Sequence, residues 1–168
     1  HQGMTENFRM NRLLMWIQPE NYSSGIGYQT VQGLYAIGSG GLFGKGLGKS
    51  LQKLGFIPES QNDMIFSIIC EELGLFGAMC IILVFALMLW RIIHIAQNAP
   101  DLFGTMLAAG VFAHVAVQVV LNIAVVTNFI PNTGVSLPFI SYGGTASFFL
   151  LLEMGIVLNI SSKIRLER

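Results

Sequence analysis

Leu73-Gly74-Leu75-Phe76-Gly77-Ala78-Met79-Cys80-Ile81-Ile82-Leu83-Val84-Phe85-Ala86-Leu87-Met88-Leu89-Trp90 is a run of eighteen residues without a formal charge. At 1.5 Å rise per residue a helix of this length nearly crosses the roughly 30 Å of hydrocarbon in a bilayer. The run sits inside a longer apolar stretch, 64–95, and two more follow at 102–128 and 140–160. From Leu73 to the C-terminus the only charged residues are Arg91, Asp101, Glu153, Lys163, Arg165, Glu167 and Arg168. The chain as a whole is 53% hydrophobic and 11% charged, far below the roughly 25% charge of a soluble domain. The reading is an all-α polytopic membrane protein with three transmembrane helices in residues 63–168.

Residues 1–62 differ in character. They are polar and rich in glycine, with Gly38, Gly40, Gly41, Gly44, Gly46 and Gly48 falling within eleven residues. Such a segment reads as a large loop whose backbone can approach a ligand closely. It is not a nucleotide-binding loop, because Phe43 stands where the first required glycine would precede Gly48-Lys49-Ser50. The polar start at His1 and the absence of a signal-peptide pattern suggest that earlier segments belong to the same protein.

Positive residues near short connections favour the cytoplasm. The connection from Arg91 to Asp101 and the tail from Lys163 to Arg168 lie on one side of three spans, so both are placed inside. Residues 1–62 and the turn 128–142 then lie outside. Arg9, Arg12, Lys45, Lys49 and Lys53 sit outside against the simple rule, which long loops obey weakly. Net charge is zero and no basic run or basic-aromatic repeat occurs, so nucleic-acid binding is excluded. Cys70 and Cys80 lack metal-ligand spacing and read as buried packing thiols.

Several polar residues stand out against this background. Asp63 lies where the loop becomes a membrane helix, a setting that suits a partly desolvated general base but equally a helix cap, with Asn62 and Ser60 as rival caps. Glu71 and Glu72 lie two turns further in. Carboxylates at membrane depth need a partner or a role, so each is either ion-paired to a basic group or catalytic. Glu153 poses the same question with no cation in view. His114, Gln118 and Asn122 recur at four-residue steps and share one helix face, for bonding between helices or for carrying a proton. Lys45, Lys49 and Lys53 share that spacing, and a helix from Gly48 to Leu54 would give them one basic edge, solvated or anion-binding.

Taken together, Gly27-Tyr28-Gln29, the run from Ala36 to Gly48, Pro58-Glu59, Asp63-Met64-Ile65-Phe66, Glu71-Glu72-Leu73-Gly74 and the run from Pro131 to Gly144 resemble the SEDS family of polytopic membrane proteins, which includes FtsW, RodA and SpoVE. The division and sporulation branch fits best. The resemblance implies that the chain is the C-terminal part of a roughly ten-helix protein of the bacterial cytoplasmic membrane. It also implies polymerisation of lipid II outside that membrane, alongside a class B penicillin-binding protein. The family's essential loop aspartate falls on Asp63. Asp63 would be the base, or a ligand for a divalent cation such as Mg²⁺ or Mn²⁺. Lys45, Lys49, Ser141 and Tyr142 would bind substrate, and Glu71, Glu72, His114, Gln118, Asn122 and Glu153 would be structural. Many relatives have His-Thr before the aspartate where this chain has Gln61-Asn62, so no histidine acts there. Two other functions fit the same residues: a lipid II transporter, and a nonenzymatic scaffold for the crosslinking partner.

Overall fold

The computed structural model describes residues 14, 16–17, 26–50 and 62–164. Lys53, the Pro58-Glu59 pair, Ser60, Gln61 and the tail beyond Ile164 lie outside the described residues. Among the described residues the helices with both ends placed are, in order, α1 (Ile26–Gly40), α2 (Ile65–Gln97), α3 (Leu102–Val126) and α4 (Gly144–Lys163). No strand occurs among the described residues. The last three helices are long and apolar enough to cross a membrane. α2 is the hub, packing on α1 and α3, and α4 leans mainly on α3.

α1 falls inside the segment that reads as a loop. Its glycines explain both the reading and the helix. Gly27, Thr30, Gly33, Ala36 and Gly40 are the buried positions, spaced three and four apart, so the small residues form one stripe. That stripe lets α1 lie close against the start of α2. A Cβ on Gly33 would press against Ser67 and Met64, and one on Gly40 would collide with the main chain at Cys70. Gln29 meets Asp63, Gly33 meets Ser67 and Gly40 meets Cys70, so α1 runs parallel to the first turns of α2.

α2 is not one continuous helix. Gly74 has φ 69° and ψ −168°, outside any helical region, and only glycine adopts that conformation readily. The break frees the carbonyls before it and the N–H groups after it. The glycine loop that follows α1 takes up both sets. Lys45 N and Gly46 N donate to the carbonyls of Glu71 and Glu72 at 2.9 and 3.0 Å, and Leu75 N and Phe76 N donate to those of Gly41 and Leu42 at 2.9 and 3.2 Å. Buried backbone groups need such partners, above all where no water reaches.

Beyond the break, residues 75–97 alone span roughly 34 Å, sufficient for the hydrocarbon. The first segment does not continue that axis. Asp63 is tied by its carbonyl to Asn122, one turn from the end of α3, so this segment folds back over the end of α3. Glu71 and Glu72 accordingly lie at the break and not in the uninterrupted membrane helix.

α3 begins with Asp101 as its cap, whose carboxylate accepts from Gly104 N at 3.1 Å. α4 starts at Gly144, later than the apolar pattern at 140 suggests. Phe139 has φ 63° and Ser141 Oγ accepts from Leu137 N at 2.8 Å, which holds the preceding turn out of helical geometry. Cys70 is buried as expected, but Cys80 is exposed. The reason is that α2 beyond Gly74 is apolar all round, so its sequence does not mark which face packs inside.

Candidate active site

The junction between loop and membrane helix brings three chain segments together. Asp63 lies in the turn before α2, half-buried, with Gln29 Nε2 of α1 at 3.4 Å from its Oδ1. Asn122 of α3 donates from Nδ2 to the Asp63 carbonyl at 2.9 Å and to the Val135 carbonyl at 2.8 Å. Asp63 and the turn that carries Ser141 and Tyr142 are thus tied to one amide. The position that caps α2 is taken by Met64, which makes no side-chain cap. Asp63 does not occupy the cap position, and its carboxylate is placed by tertiary contacts instead.

The lysines divide. Lys45 Nζ lies 2.7 Å from Glu71 Oε1 and 2.8 Å from Ser39 Oγ, while Ser50 Oγ donates to Glu71 Oε2 at 2.5 Å. The Glu71 side chain is 1% exposed and that of Lys45 33%. A buried carboxylate is tolerated in this way only when charge and hydrogen bonds meet it together. The basic partner anticipated for Glu71 comes from the glycine loop. Lys49 is exposed. The helix that would align the two lysines is absent through Ser50, because residues 41–50 form turns shaped by positive φ at Gly41, Gly44, Gly46 and Gly48.

Glu72 differs from its neighbour: its Oε1 is buried and has no hydrogen-bond partner. Further back along α3, Glu153 of α4 meets His114 at the surface of the described helices, with His114 Nδ1 3.0 Å from both carboxylate oxygens. Gln118 Nε2 lies 3.0 Å from His114 Nε2. The partner of Glu153 is therefore the imidazole of His114. Of the polar stripe on α3, His114 makes the contact with α4, Gln118 meets His114 within α3, and Asn122 serves the Asp63 junction.

Ser141 is committed to its own turn through Leu137 N, whereas the Tyr142 side chain stands exposed. Sequence reading passed over Gln29, Ser39 and Ser50 as site residues. Gln29 had a usable signal, since it is a long polar residue beside the small stripe of α1. Among the described residues, no group of three or more His, Cys, Asp and Glu converges on a common point.

The model of the cell cycle protein family FtsW/RodA/SpoVE matches residues 3–166. The chain belongs to that family. Stage V sporulation protein E of Bacillus subtilis (strain 168), a member of it, is 48% identical over 154 residues, covering 92% of this chain and 42% of that protein. A protein of Trichlorobacter lovleyi named probable peptidoglycan glycosyltransferase FtsW is 44% identical over 159 residues, 95% of this chain and 42% of its own length. The chain thus spans 42% of each of these family relatives. Among solved structures, a chain described under "Structural coordination of polymerization and crosslinking by a peptidoglycan synthase complex" superposes with a TM-score of 0.74 over 95% of this chain and 43% of that one, at 24% identity. At that identity the likeness is one of fold. With three helices able to cross a bilayer, this family member is a multi-pass membrane protein.

Proposed function

We propose that the full-length protein polymerises lipid II into peptidoglycan glycan strands at the outer face of the bacterial cytoplasmic membrane, in division or sporulation. The observation that carries this reading is the placement of Asp63. It is a half-buried carboxylate at the mouth of the helices, with its main chain anchored by Asn122. The names of the relatives point the same way.

In the proposed step the acceptor sugar's 4-hydroxyl attacks the anomeric carbon of the donor. The new C–O bond forms as the bond to the undecaprenyl pyrophosphate oxygen breaks, with inversion. Asp63 takes the hydroxyl proton, which requires a carboxylate that is ionised and within reach of substrate. The departing diphosphate carries the electron pair and needs cationic neighbours. Lys49 is exposed for this task, while Lys45 is engaged with Glu71. Tyr142 offers an exposed ring next to Gly143 and Gly144, suited to stacking against a sugar.

A divalent cation fits this arrangement in one form only. The described residues supply no cage of several carboxylates, but Mg²⁺ is commonly held by one carboxylate together with substrate phosphates and water. Asp63 would be that ligand, and the cation would supply charge stabilisation for the leaving diphosphate. The proposal includes a class B penicillin-binding protein as partner, in keeping with the synthase complex that shares the fold.

Purified full-length protein supplied with lipid II and Mg²⁺ or Mn²⁺ is expected to make glycan chains. Asp63→Asn keeps the size of the side chain and removes the base, so it should reach normal levels and bind its partner while polymerising about 10²–10⁴-fold more slowly. Wild-type chain length and rate in that variant would remove Asp63 from the mechanism. Headgroup translocation without chains would mark a transporter, and neither activity a scaffold.

A further inference from the structure

We propose that Asn122 is a positioning residue for this reaction: its one amide holds the Asp63 main chain and the 131–143 turn in a fixed relation. The inference rests on the reading of Asp63 given above. Asn122 is completely buried near the end of α3. Both of its N–H groups are spent, one on the carbonyl of Asp63 at 2.9 Å and one on that of Val135 at 2.8 Å. Neither acceptor belongs to a helix.

The orientation of this amide has one solution. Rotating it would put its oxygen against two carbonyl oxygens, so the observed placement is the only one that bonds both segments. It leaves Oδ1 buried without a partner. A polar group placed for its own sake would be satisfied on both sides. Here the acceptor goes unmet so that both donors can reach main-chain carbonyls of separate segments. The rest of the α3 stripe does a different job, since His114 bonds Glu153 of α4 and Gln118 bonds His114.

The consequence for chemistry is geometric. Holding the carbonyl of Asp63 fixes the root from which its carboxylate extends. Holding Val135 fixes the start of the turn that presents Tyr142. A general base and a substrate-contacting turn must keep their separation through the reaction, and a displacement near 1 Å can lower a rate about 10²-fold. Asn122 touches neither substrate nor the reacting atoms in this scheme. It acts through the two segments.

The test uses the full-length protein with lipid II. Asn122→Ala is expected to reach wild-type folded levels and lower kcat about 10–100-fold, with KM changed less than about threefold. In an Asp63→Glu background, where the carboxylate is already displaced, adding Asn122→Ala should lower the residual rate by less than about threefold, because the two residues act as a unit. Wild-type kcat in Asn122→Ala, or a full multiplicative loss in the Asp63→Glu background, overturns the proposal. If Asn122→Ala does not accumulate, Asn122→Ser keeps one donor and should show an intermediate kcat at normal yield. Loss of folded protein in both variants also overturns it, because the residue is then a structural tie alone. Asp63→Asn is measured in the same series. An inactive Asp63→Asn beside a fully active Asn122→Ala defeats the positioning role only, whereas a fully active Asp63→Asn defeats the base assignment itself.

Discussion

Gly44 and Gly74 occupy each other's side-chain space: a Cβ built on Gly74 would collide with the backbone nitrogen of Gly44, and one on Gly44 would lie 2.6 Å from that of Gly74. Both also have positive φ. Gly74→Ala therefore meets two penalties, about 1–3 kcal/mol for the backbone conformation and about 1–3 kcal/mol for pushing the loop away. Gly38 in α1 has open space around it and is helical, so Gly38→Ala should gain about 0.5–1 kcal/mol. Thermal unfolding of the detergent-purified full-length protein, followed by size exclusion, should show a large loss for Gly74→Ala and a small gain for Gly38→Ala. Equal melting of both would refute the close approach.

Lys45 and Glu71 are unequally buried, which makes the two halves of the pair unequal under mutation. Lys45→Met strands a carboxylate that has no route to water, a change of the kind that costs about 3–5 kcal/mol. Glu71→Gln leaves an ammonium that can turn outward, and should cost less. The double variant should recover most of the loss in Lys45→Met. Glu72→Gln should be nearly neutral, since Glu72 Oε1 has no partner to lose. Folded yield in the membrane fraction orders these variants. A Glu71→Gln variant that folds fully yet has no activity would instead place Glu71 in the chemistry.

His114 is the thirteenth of the 25 residues of α3, and Glu153 the tenth of the 20 in α4, so the pair lies near mid-membrane. An unpaired carboxylate there costs about 2.5–3.5 kcal/mol on insertion scales. His114→Leu should thus reduce folded protein strongly. Glu153→Gln removes the charge and keeps a hydrogen-bond acceptor for the imidazole, so it should be tolerated. Comparable yields for the two would show that the pair is not what holds α4 on α3.

Sidedness follows from short basic connections staying cytoplasmic. In a cysteine-free background, Phe43→Cys in the glycine loop should react with an impermeant thiol reagent on intact cells. Ser162→Cys near the end of α4 should react only after permeabilisation. Both positions are exposed, so access to the reagent is governed by the membrane. Labelling of Ser162→Cys on intact cells would invert the topology.

The three membrane helices were legible because uninterrupted apolar runs have few alternatives to a helix in lipid. The break in α2 was not. Gly74 sits in a run where glycine is tolerated, and its φ is set by a loop thirty residues earlier that no local pattern announces. α1 was hidden for the opposite reason. Its glycines lower helix propensity, and only the partner surface at Met64, Ser67 and Cys70 turns them into a packing stripe. At the site, Asp63 was visible from its place at a boundary. The division of labour within the stripe of His114, Gln118 and Asn122 was not, because spacing reports a shared face and not what lies across from it.

The pairing of the glycine loop with the break in α2 also limits what evolution can do with this protein. Two consecutive donors, Lys45 and Gly46, and two consecutive acceptors, Gly41 and Leu42, meet their counterparts on the two sides of Gly74. The exposed side chains of Leu42 and Phe43 can vary, because the bonds are made by the main chain, whereas Gly44 and Lys45 are held by the close approach to Gly74 and the pair with Glu71. Its length cannot: one residue gained or lost between Leu42 and Lys45 would put one set of bonds out of step with the other. Relatives that keep the break should therefore conserve the number of residues here more strictly than the identities of residues 42 and 43.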